Sequence, residues 1–356
     1  MATQRLEAAL QILARARLDA LFVSHLPHVQ YLTGFTGSNG CCIVTRDAQV
    51  FCSDGRYLAQ AAEEVKGFDV VIARSQVLDA LARRVRIGRG AKIAFEQDAC
   101  SVTDWQALRK AFSRAKLVGT SKLLSPLISR KDEGEISRIA ESVRISEKVY
   151  EKVIPMVKDG VRELDVAAEI SYWHRKFGAD ADAFEPIVAS GTRGALPHAR
   201  ASAREIRPGE FITVDFGCRK NGYHSDITRT VSLGKPSAEL LRMYECVRQA
   251  QQKALDAIRP GMRARALDAV ARKSIRKDGY GKFFNHSLGH GLGLEVHEEP
   301  RISLRSDEVL QPGNVVTIEP GIYVQGIGGV RIEDDVVVRE HRCEILTSLP
   351  RSLTVL

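Results

Sequence analysis

Residues 211–233, FITVDFGCRKNGYHSDITRTVSL, contain two apolar runs separated by a short polar turn. Asn221-Gly222, at the centre of the turn, is a strong signal for a two-residue type I′ turn, because both positions of such a turn adopt positive φ. The stretch therefore predicts an antiparallel hairpin with strands over residues 211–217 and 226–232.

The register of this hairpin brings two carboxylates together. Residues that face each other have numbers that sum to 443, as those of the two turn residues do, so Asp226 lies opposite Gly217. Asp215 has the same side-chain parity as Gly217, and we expect the two aspartates to be diagonal neighbours with Cβ atoms about 7 Å or less apart. That separation suits one or two cations held between them. For this pair alone, an ordinary surface hairpin with two solvated aspartates is the alternative.

Two glutamates lie in similarly apolar surroundings. Glu319 ends the run NVVTIEPG, and Glu333 lies within GGVRIEDDVVV. These runs predict strands over residues 315–319 and 330–338. A buried charge without a partner is strongly unfavourable, so carboxylates in such runs indicate that cations compensate them.

Three histidines, His286, His290 and His297, lie in the glycine-rich segment NHSLGHGLGLEVHEEP. Its alternating glycines exclude a regular helix and let the backbone approach another group closely. A neutral imidazole is a natural metal ligand, although the residues alone do not decide which of the three binds. Four carboxylates and one imidazole can neutralise two divalent cations. The sequence therefore predicts a two-metal hydrolase.

The bulk properties are those of an ordinary globular protein of two domains, with 356 residues, 44% of them hydrophobic and 27% charged. The net charge is +8, but the densest basic stretch, residues 259–277, lacks stacking aromatics or a reading motif, so no nucleic-acid partner is predicted. No apolar run reaches the roughly 18 residues that span a membrane, and no export signal is present. Seven scattered cysteines indicate free thiols and a cytoplasmic protein.

The pattern of elements divides the chain in two. Residues 1–122 alternate between helices and strands, which predicts an α/β domain with helices covering a mixed sheet. Residues 123–135, with Pro126 and a run of charges, read as a linker. Residues 136–356 mix long helices with strands. The strands predicted in the first domain are 19–24, 41–45, 49–53, 68–72, 92–95 and 115–118.

The ordered motifs VDFG, SDITRT, SLGHGLGLEVHEEP, TIEPG and RIEDD resemble those of the pita-bread metallopeptidases, and the resemblance covers residues from about 130 to 345. That family includes methionine aminopeptidase, Xaa-Pro aminopeptidase and Xaa-Pro dipeptidase. The resemblance implies an α+β fold of two domains, a small N-terminal α/β creatinase-like domain and a C-terminal pita-bread domain. It implies two divalent metal ions held by Asp215, Asp226, His290, Glu319 and Glu333. It implies substrate-binding roles for His198 in ALPHAR, His286, His297 and Arg331.

The N-terminal domain indicates which branch of the family the chain resembles. YLTGFTGSNG and SDGRY resemble the Xaa-Pro aminopeptidase branch, whose arginine near the substrate falls on Arg56. We therefore expect an exopeptidase that removes the residue before proline by attack of a metal-bridging hydroxide on proline-containing peptides. Xaa-Pro dipeptidase (prolidase) is the alternative, and a non-catalytic pita-bread peptide-binding protein is a third interpretation. The resemblance also implies a homodimer.

The resemblance implies catalytic roles for three of these residues. Glu319 is expected to act as general base, and His198 or His297 to stabilise the developing oxyanion. Oxygen-rich ligands with one histidine favour Mn²⁺, with Co²⁺ or Zn²⁺ as alternatives.

Overall fold

The computed structural model describes residues 2–356, with side chains from residue 4 onwards. The chain forms two compact units, Met1–Ile128 and Ser129–Leu356. None of the helices in residues 2–356 is long and apolar enough to cross a membrane. All seven cysteines are free thiols, as the sequence predicts.

The N-terminal unit is built on a six-stranded mixed sheet. Its elements are α1 (Ala2–Ala16), β1 (Ala20–Val23), α2 (Leu26–Thr33), β2 (Cys41–Thr45), β3 (Gln49–Asp54), α3 (Leu58–Glu64), β4 (Asp69–Ala73), α4 (Val77–Arg84), β5 (Lys92–Glu96), α5 (Val102–Ala111), β6 (Lys116–Thr120) and α6 (Ser125–Ile128). The strand order is β4-β3-β2-β1-β5-β6, and every residue of β2 is buried, as expected for a central strand covered on both faces. All six predicted strands are present.

Helix α2 has no predicted counterpart. It has a proline in its first turn and ends at Gly34, whose φ is +85°. Proline at the start and glycine at the end are ordinary boundary signals of a helix. The eight residues between them are too few for a helical period to stand out in the sequence.

The C-terminal unit contains four helices and thirteen strands among the described residues. They are α7 (Glu133–Val153), α8 (Glu163–Lys176), β7 (Ala181–Asp182), β8 (Ile187–Ser190), β9 (Phe211–Phe216), β10 (Cys218–Lys220), β11 (Tyr223–His224), β12 (Ile227–Ser232), α9 (Ala238–Ala257), α10 (Ala264–Lys277), β13 (Gly289–Gly291), β14 (Glu298–Ile302), β15 (Val315–Ile318), β16 (Gly321–Val324), β17 (Gly328–Arg331), β18 (Asp334–Val338) and β19 (Cys343–Ile345). Helices α9 and α10 pack against each other and share the main hydrophobic core of this unit with strands β14 to β18.

The segment predicted as a linker, residues 123–135, contains α6 and the start of α7. Helix α7 begins with a capping box, in which Asp132 and Glu135 each accept a hydrogen bond from the other's backbone N–H. The division between the two compact units falls between Ile128 and Ser129, inside this segment.

The hairpin predicted around Asn221-Gly222 is confirmed. Both turn residues have positive φ, and the pairing keeps a sum of 443 from the turn to the far end of β9 and β12. Asp215 consequently faces Thr228 directly, and Asp226 is its diagonal neighbour.

The single strand predicted over residues 330–338 is wrong, since the structure has two strands there. β17 pairs with β16, whereas β18 pairs with β15 in a different sheet. The chain passes between the sheets at Ile332 and Glu333, and the N–H of Glu333 donates to Thr228 O instead of to a ladder partner. The break places the Glu333 side chain where the two sheets meet.

Candidate metal centre

Five side chains, on or next to strands of three sheets, converge on one cavity. Asp215 lies on β9 and Asp226 immediately before β12, so a single hairpin supplies both. His290 is the middle residue of β13, Glu319 follows β15, and Glu333 lies between β17 and β18. All five line a cavity of about 520 Å³, a volume typical of small-molecule sites.

His290 presents its Nε2 atom to the carboxylates. Its Nδ1 lies 3.0 Å from the carbonyl oxygen of Gly291, which assigns the proton to Nδ1 and leaves a lone pair on Nε2. Nε2 lies 3.5 Å from Glu319 Oε1 and 3.6 Å from Asp226 Oδ2. Burial, and then the charge of His297, lower the pKa of His290 to about 3, so the imidazole is neutral near pH 7.

Three carboxylate oxygens of the cluster are buried without a hydrogen-bond donor among the described residues: Asp215 Oδ1, Asp226 Oδ1 and Glu333 Oε1. Ligand atoms of Asp226, His290 and Glu333 lie within 4.8 Å of one another. A buried anionic oxygen without a donor is costly, and a divalent cation would supply the missing positive charge. The donor set is rich in oxygen and holds one imidazole. The residues therefore fit the metal ions that the sequence predicts.

Burial and mutual repulsion of the carboxylates also change their pKa values. Burial raises the pKa of Asp226 and Glu319 well above the ordinary range, and the charge of Glu333 raises both further. Burial and the charge of Asp215 raise the pKa of Glu333 to about 8. Without a cation, the folded protein therefore holds protons on these groups that the unfolded chain releases.

The raised pKa of Glu333 predicts a pH-dependent stability of the metal-free protein. Because the pKa rises on folding, from 4.5 to about 8, the stabilisation is complete below pH 4.5 and is lost as the pH rises through 8. A tenfold change in a protonation constant corresponds to about 1.4 kcal/mol, so the expected loss is on the order of a few kcal/mol. Urea unfolding of chelator-treated wild type and Glu333→Gln across this range isolates the effect. A difference between the two proteins that does not change with pH would contradict it.

Arg331 holds Asp215 in place. Its Nη2 donates to Asp215 Oδ2 at 2.5 Å, and its Nε donates to Thr228 Oγ1 at 3.1 Å. Thr228 Oγ1 in turn donates to Glu333 Oε2 at 2.6 Å. One buried guanidinium and one hydroxyl thus fix the orientation of two candidate ligands. These contacts favour a role for Arg331 in orienting the candidate ligands rather than in binding substrate directly. Its predicted contact with substrate stays a prediction.

Tyr323 extends this network to His286. Arg331 Nη1 donates to the Tyr323 hydroxyl at 2.6 Å, and that hydroxyl lies 3.0 Å from His286 Nε2. His286 Nδ1 lies 2.8 Å from the carbonyl oxygen of Ser287, so Nδ1 carries the proton and Nε2 accepts from Tyr323. Burial, followed by the charge of Arg331, lowers the pKa of His286 to about 3, which keeps it neutral.

The other predicted residues divide between the two units. His198 and His297 line the same cavity as the carboxylates, and the ring of His297 meets that of His290 edge-on, with centroids 4.3 Å apart. Arg56 belongs to the N-terminal unit, where its exposed guanidinium pairs with Asp54 at 2.9 Å. Its predicted contact with substrate stays a prediction.

Three residues at the site were not predicted from the sequence: Thr228, Tyr323 and Arg301. Thr228 had a usable signal, because the predicted register places it opposite Asp215. Arg301 lines the cavity, and Tyr323 meets the site through its hydrogen bonds to Arg331 and His286, but neither contact had a local signal in the sequence.

Two comparisons of sequence bear on this geometry. Residues 137–340 match the profile of metallopeptidase family M24, and residues 5–127 match that of the creatinase/prolidase N-terminal domain. A protein from Pyrococcus furiosus named Xaa-Pro dipeptidase is 36% identical over 98% of this chain and 99% of its own length.

Solved structures resemble the whole chain. One described as Xaa-Pro dipeptidase from Bacillus anthracis is 37% identical, has a TM-score of 0.96 and covers 100% of both chains. One described as X-Pro aminopeptidase from Thermotoga maritima is 38% identical, has a TM-score of 0.90 and covers 99% of this chain and 100% of its own.

Proposed function

Because the chain belongs to metallopeptidase family M24, we propose that it is a dinuclear-metal Xaa-Pro dipeptidase. The membership confirms the predicted resemblance to pita-bread metallopeptidases and the predicted two-domain fold class. Several relatives that match nearly the whole chain are named Xaa-Pro dipeptidase or prolidase. They support the dipeptidase alternative better than the aminopeptidase that we expected from the sequence.

The observation that carries the hydrolytic assignment is the cluster of buried carboxylates beside His290, in which three oxygens have no hydrogen-bond donor within residues 2–356. Asp215, Asp226, His290, Glu319 and Glu333 would hold the two cations, with Mn²⁺ favoured by the oxygen-rich donor set. When bound, such ions act as Lewis acids towards the carbonyl oxygen and lower the pKa of water to about 7.

The chain's own residues supply the remaining steps. Glu319 takes a proton from the attacking water and passes it to the proline nitrogen, which carries no N–H of its own in the intact bond. His198 or His297 donates a hydrogen bond to the carbonyl oxygen as negative charge develops there. Arg331 keeps Asp215 oriented throughout, through its 2.5 Å hydrogen bond.

A dipeptidase must also hold the carboxylate that follows the proline ring. Three arginines line the cavity: Arg200, Arg301 and Arg331. Arg331 is engaged with Asp215, and Arg200 forms an exposed pair with Glu185 at 3.5 Å. The pKa of His297 is lowered first by burial and then by the charge of Arg301, so this charge acts inside the cavity. We assign the substrate carboxylate to Arg301.

The direct test is to assay an Xaa-Pro dipeptide beside the matching Xaa-Pro-Yaa tripeptide. We expect the dipeptide to be cleaved with a much higher kcat/KM. The T. maritima structure described as an X-Pro aminopeptidase makes aminopeptidase the second candidate. Efficient cleavage of the tripeptide would establish that candidate and reject the dipeptidase.

Replacing Arg301 with methionine is expected to raise KM for the dipeptide by about tenfold to a hundredfold, since a hydrogen bond to a charged group is worth about 1.5–3 kcal/mol. Hydrolysis of the corresponding Xaa-Pro amide, which lacks the carboxylate, should change little. Arg305→Met, four residues further along the exposed surface, is the matched control. Equal losses with the dipeptide and the amide would remove Arg301 from carboxylate binding.

A further inference from the structure

The His198 loop, which we define as residues 190–202, forms one wall of the cavity. It leaves the end of β8, passes through a short 3₁₀ turn at Gly191–Ala195, and contributes Pro197, His198 and Arg200 to the lining. The His198 side chain is exposed, so packing of that side chain in a hydrophobic core does not fix its position. Its placement therefore depends on the contacts that hold the loop.

Both ends of the His198 loop are tied to one carboxylate. Glu163, the first residue of α8, is fully buried. Its Oε1 accepts hydrogen bonds from the N–H and the hydroxyl of Ser190, each at 2.8 Å. Its Oε2 accepts from the N–H of Ser202 at 3.1 Å and from the Ser202 hydroxyl at 2.7 Å. One oxygen therefore serves each end of the loop.

An arginine inside the loop completes the arrangement. Arg193 Nε donates to Glu163 Oε2 at 3.0 Å, and Arg193 Nη2 donates to the carbonyl oxygen of Arg200 at 2.5 Å. The guanidinium balances the buried charge and cross-links the loop within itself. The loop also contacts the metal centre, because Arg331 Nη1 donates to the carbonyl oxygen of Pro197 at 3.2 Å.

We propose that Glu163 is a positioning residue for hydrolysis, which closes the His198 loop and so keeps the imidazole against the metal centre. The proposal rests on the function proposed above and assigns the hydrogen bond to the developing oxyanion to His198, one of the two histidines named there. Closing a loop of this length at its base removes conformational freedom that the chain would otherwise have to lose during each reaction. A displacement of only about 1 Å at a reacting group can cost about a hundredfold in rate.

Glu163→Gln preserves the size of the side chain but replaces one accepting oxygen with an NH₂ group that faces donors. We expect kcat to fall by about tenfold or more while KM changes less than about threefold, because an oxyanion donor acts mainly in the transition state. Backbone amides of residues 191–201 should exchange faster with deuterium. Glu163→Asp retains the charge but is too short to reach both ends, so we expect an intermediate kcat.

Glu135→Gln is the matched control. Glu135 is also a buried glutamate in the first turn of a helix, where it accepts a hydrogen bond from the Tyr223 hydroxyl at 2.9 Å. Its replacement should lower the Tm by a similar amount and leave kcat and the exchange of residues 191–201 unchanged. A fall in kcat equal to that of Glu163→Gln would show that general destabilisation is the cause and would overturn the proposal.

A double-variant cycle separates positioning from a merely structural role. If Glu163 acts through His198, Glu163→Gln should have little further effect on kcat when His198 is already alanine. Independent, multiplicative losses in the double variant would overturn the proposal. If the wild-type protein, loaded with metal, cleaves no Xaa-Pro substrate, the proposed function fails instead. Hydrogen exchange then decides alone whether Glu163 closes the loop, and unchanged protection in Glu163→Gln rejects that as well.

Discussion

Replacing Asp226 with alanine is expected to remove stoichiometric metal and to abolish hydrolysis of Xaa-Pro substrates. Asp226 shares one ligand cluster with His290 and Glu333, and its Oδ1 is among the buried oxygens that have no donor in the described part of the chain. The expected loss exceeds the roughly tenfold to hundredfold that changes outside the ligand set produce. Mass spectrometry of the metal content, together with an assay of dipeptide hydrolysis, measures both effects on the same preparation.

The control for this variant is Asp159→Ala in the same unit. Asp159 forms an exposed pair with Arg207 at 3.3 Å, and its replacement should leave metal content and activity unchanged. Asp226→Asn, which keeps the side-chain size, should lose activity and yet be at least as stable as the metal-free wild type, because it removes one of several mutually repelling carboxylates. Substantial hydrolysis by the alanine variant would reject the two-metal mechanism.

Glu319→Gln is expected to lower kcat by about 10²–10⁴-fold, the range typical for loss of a general base. The amide keeps the shape of the side chain and one ligating oxygen, but it cannot take a proton from water. Glu319 lies beside two histidines of the site, with Oε1 3.5 Å from His290 Nε2 and Oε2 4.0 Å from His286 Nδ1.

Metal content must be measured on the same sample of Glu319→Gln, because Glu319 is also a proposed ligand. A variant that keeps both metals and loses kcat supports the role of base. One that keeps both metals and also keeps kcat within about threefold of wild type would assign the proton transfer to another group, since a missing general base costs far more.

The sequence predicted the acidic part of the site because strand geometry transmits local information reliably. The type I′ turn at Asn221-Gly222 fixes the register, and the register fixes which face each aspartate occupies. His290 became the expected imidazole ligand only through family resemblance, since three histidines in one glycine-rich segment have similar local signals.

Other parts of the site depend on contacts between distant segments, and no local pattern encodes them. Arg331 reaches Asp215 across 116 positions, and Glu163 reaches Ser190 and Ser202 from the start of a helix. The break between β17 and β18 was missed for the same reason, because each half pairs with a different partner strand. The ligand motifs also do not distinguish a dipeptidase from an aminopeptidase, because both kinds of enzyme share them.

Asp215, Asp226 and Glu333 each have a buried oxygen that lacks a donor among residues 2–356, and this affects how long the protein persists in a cell. Ligands that bind only the folded state add to its stability in proportion to the logarithm of their concentration. Protein molecules that are made when divalent cations are scarce will unfold more often, and proteases cleave the unfolded chain. We expect pulse-chase half-life to shorten under chelation in the wild type but not in Asp226→Asn, so that cellular abundance follows divalent-ion supply without a dedicated sensor.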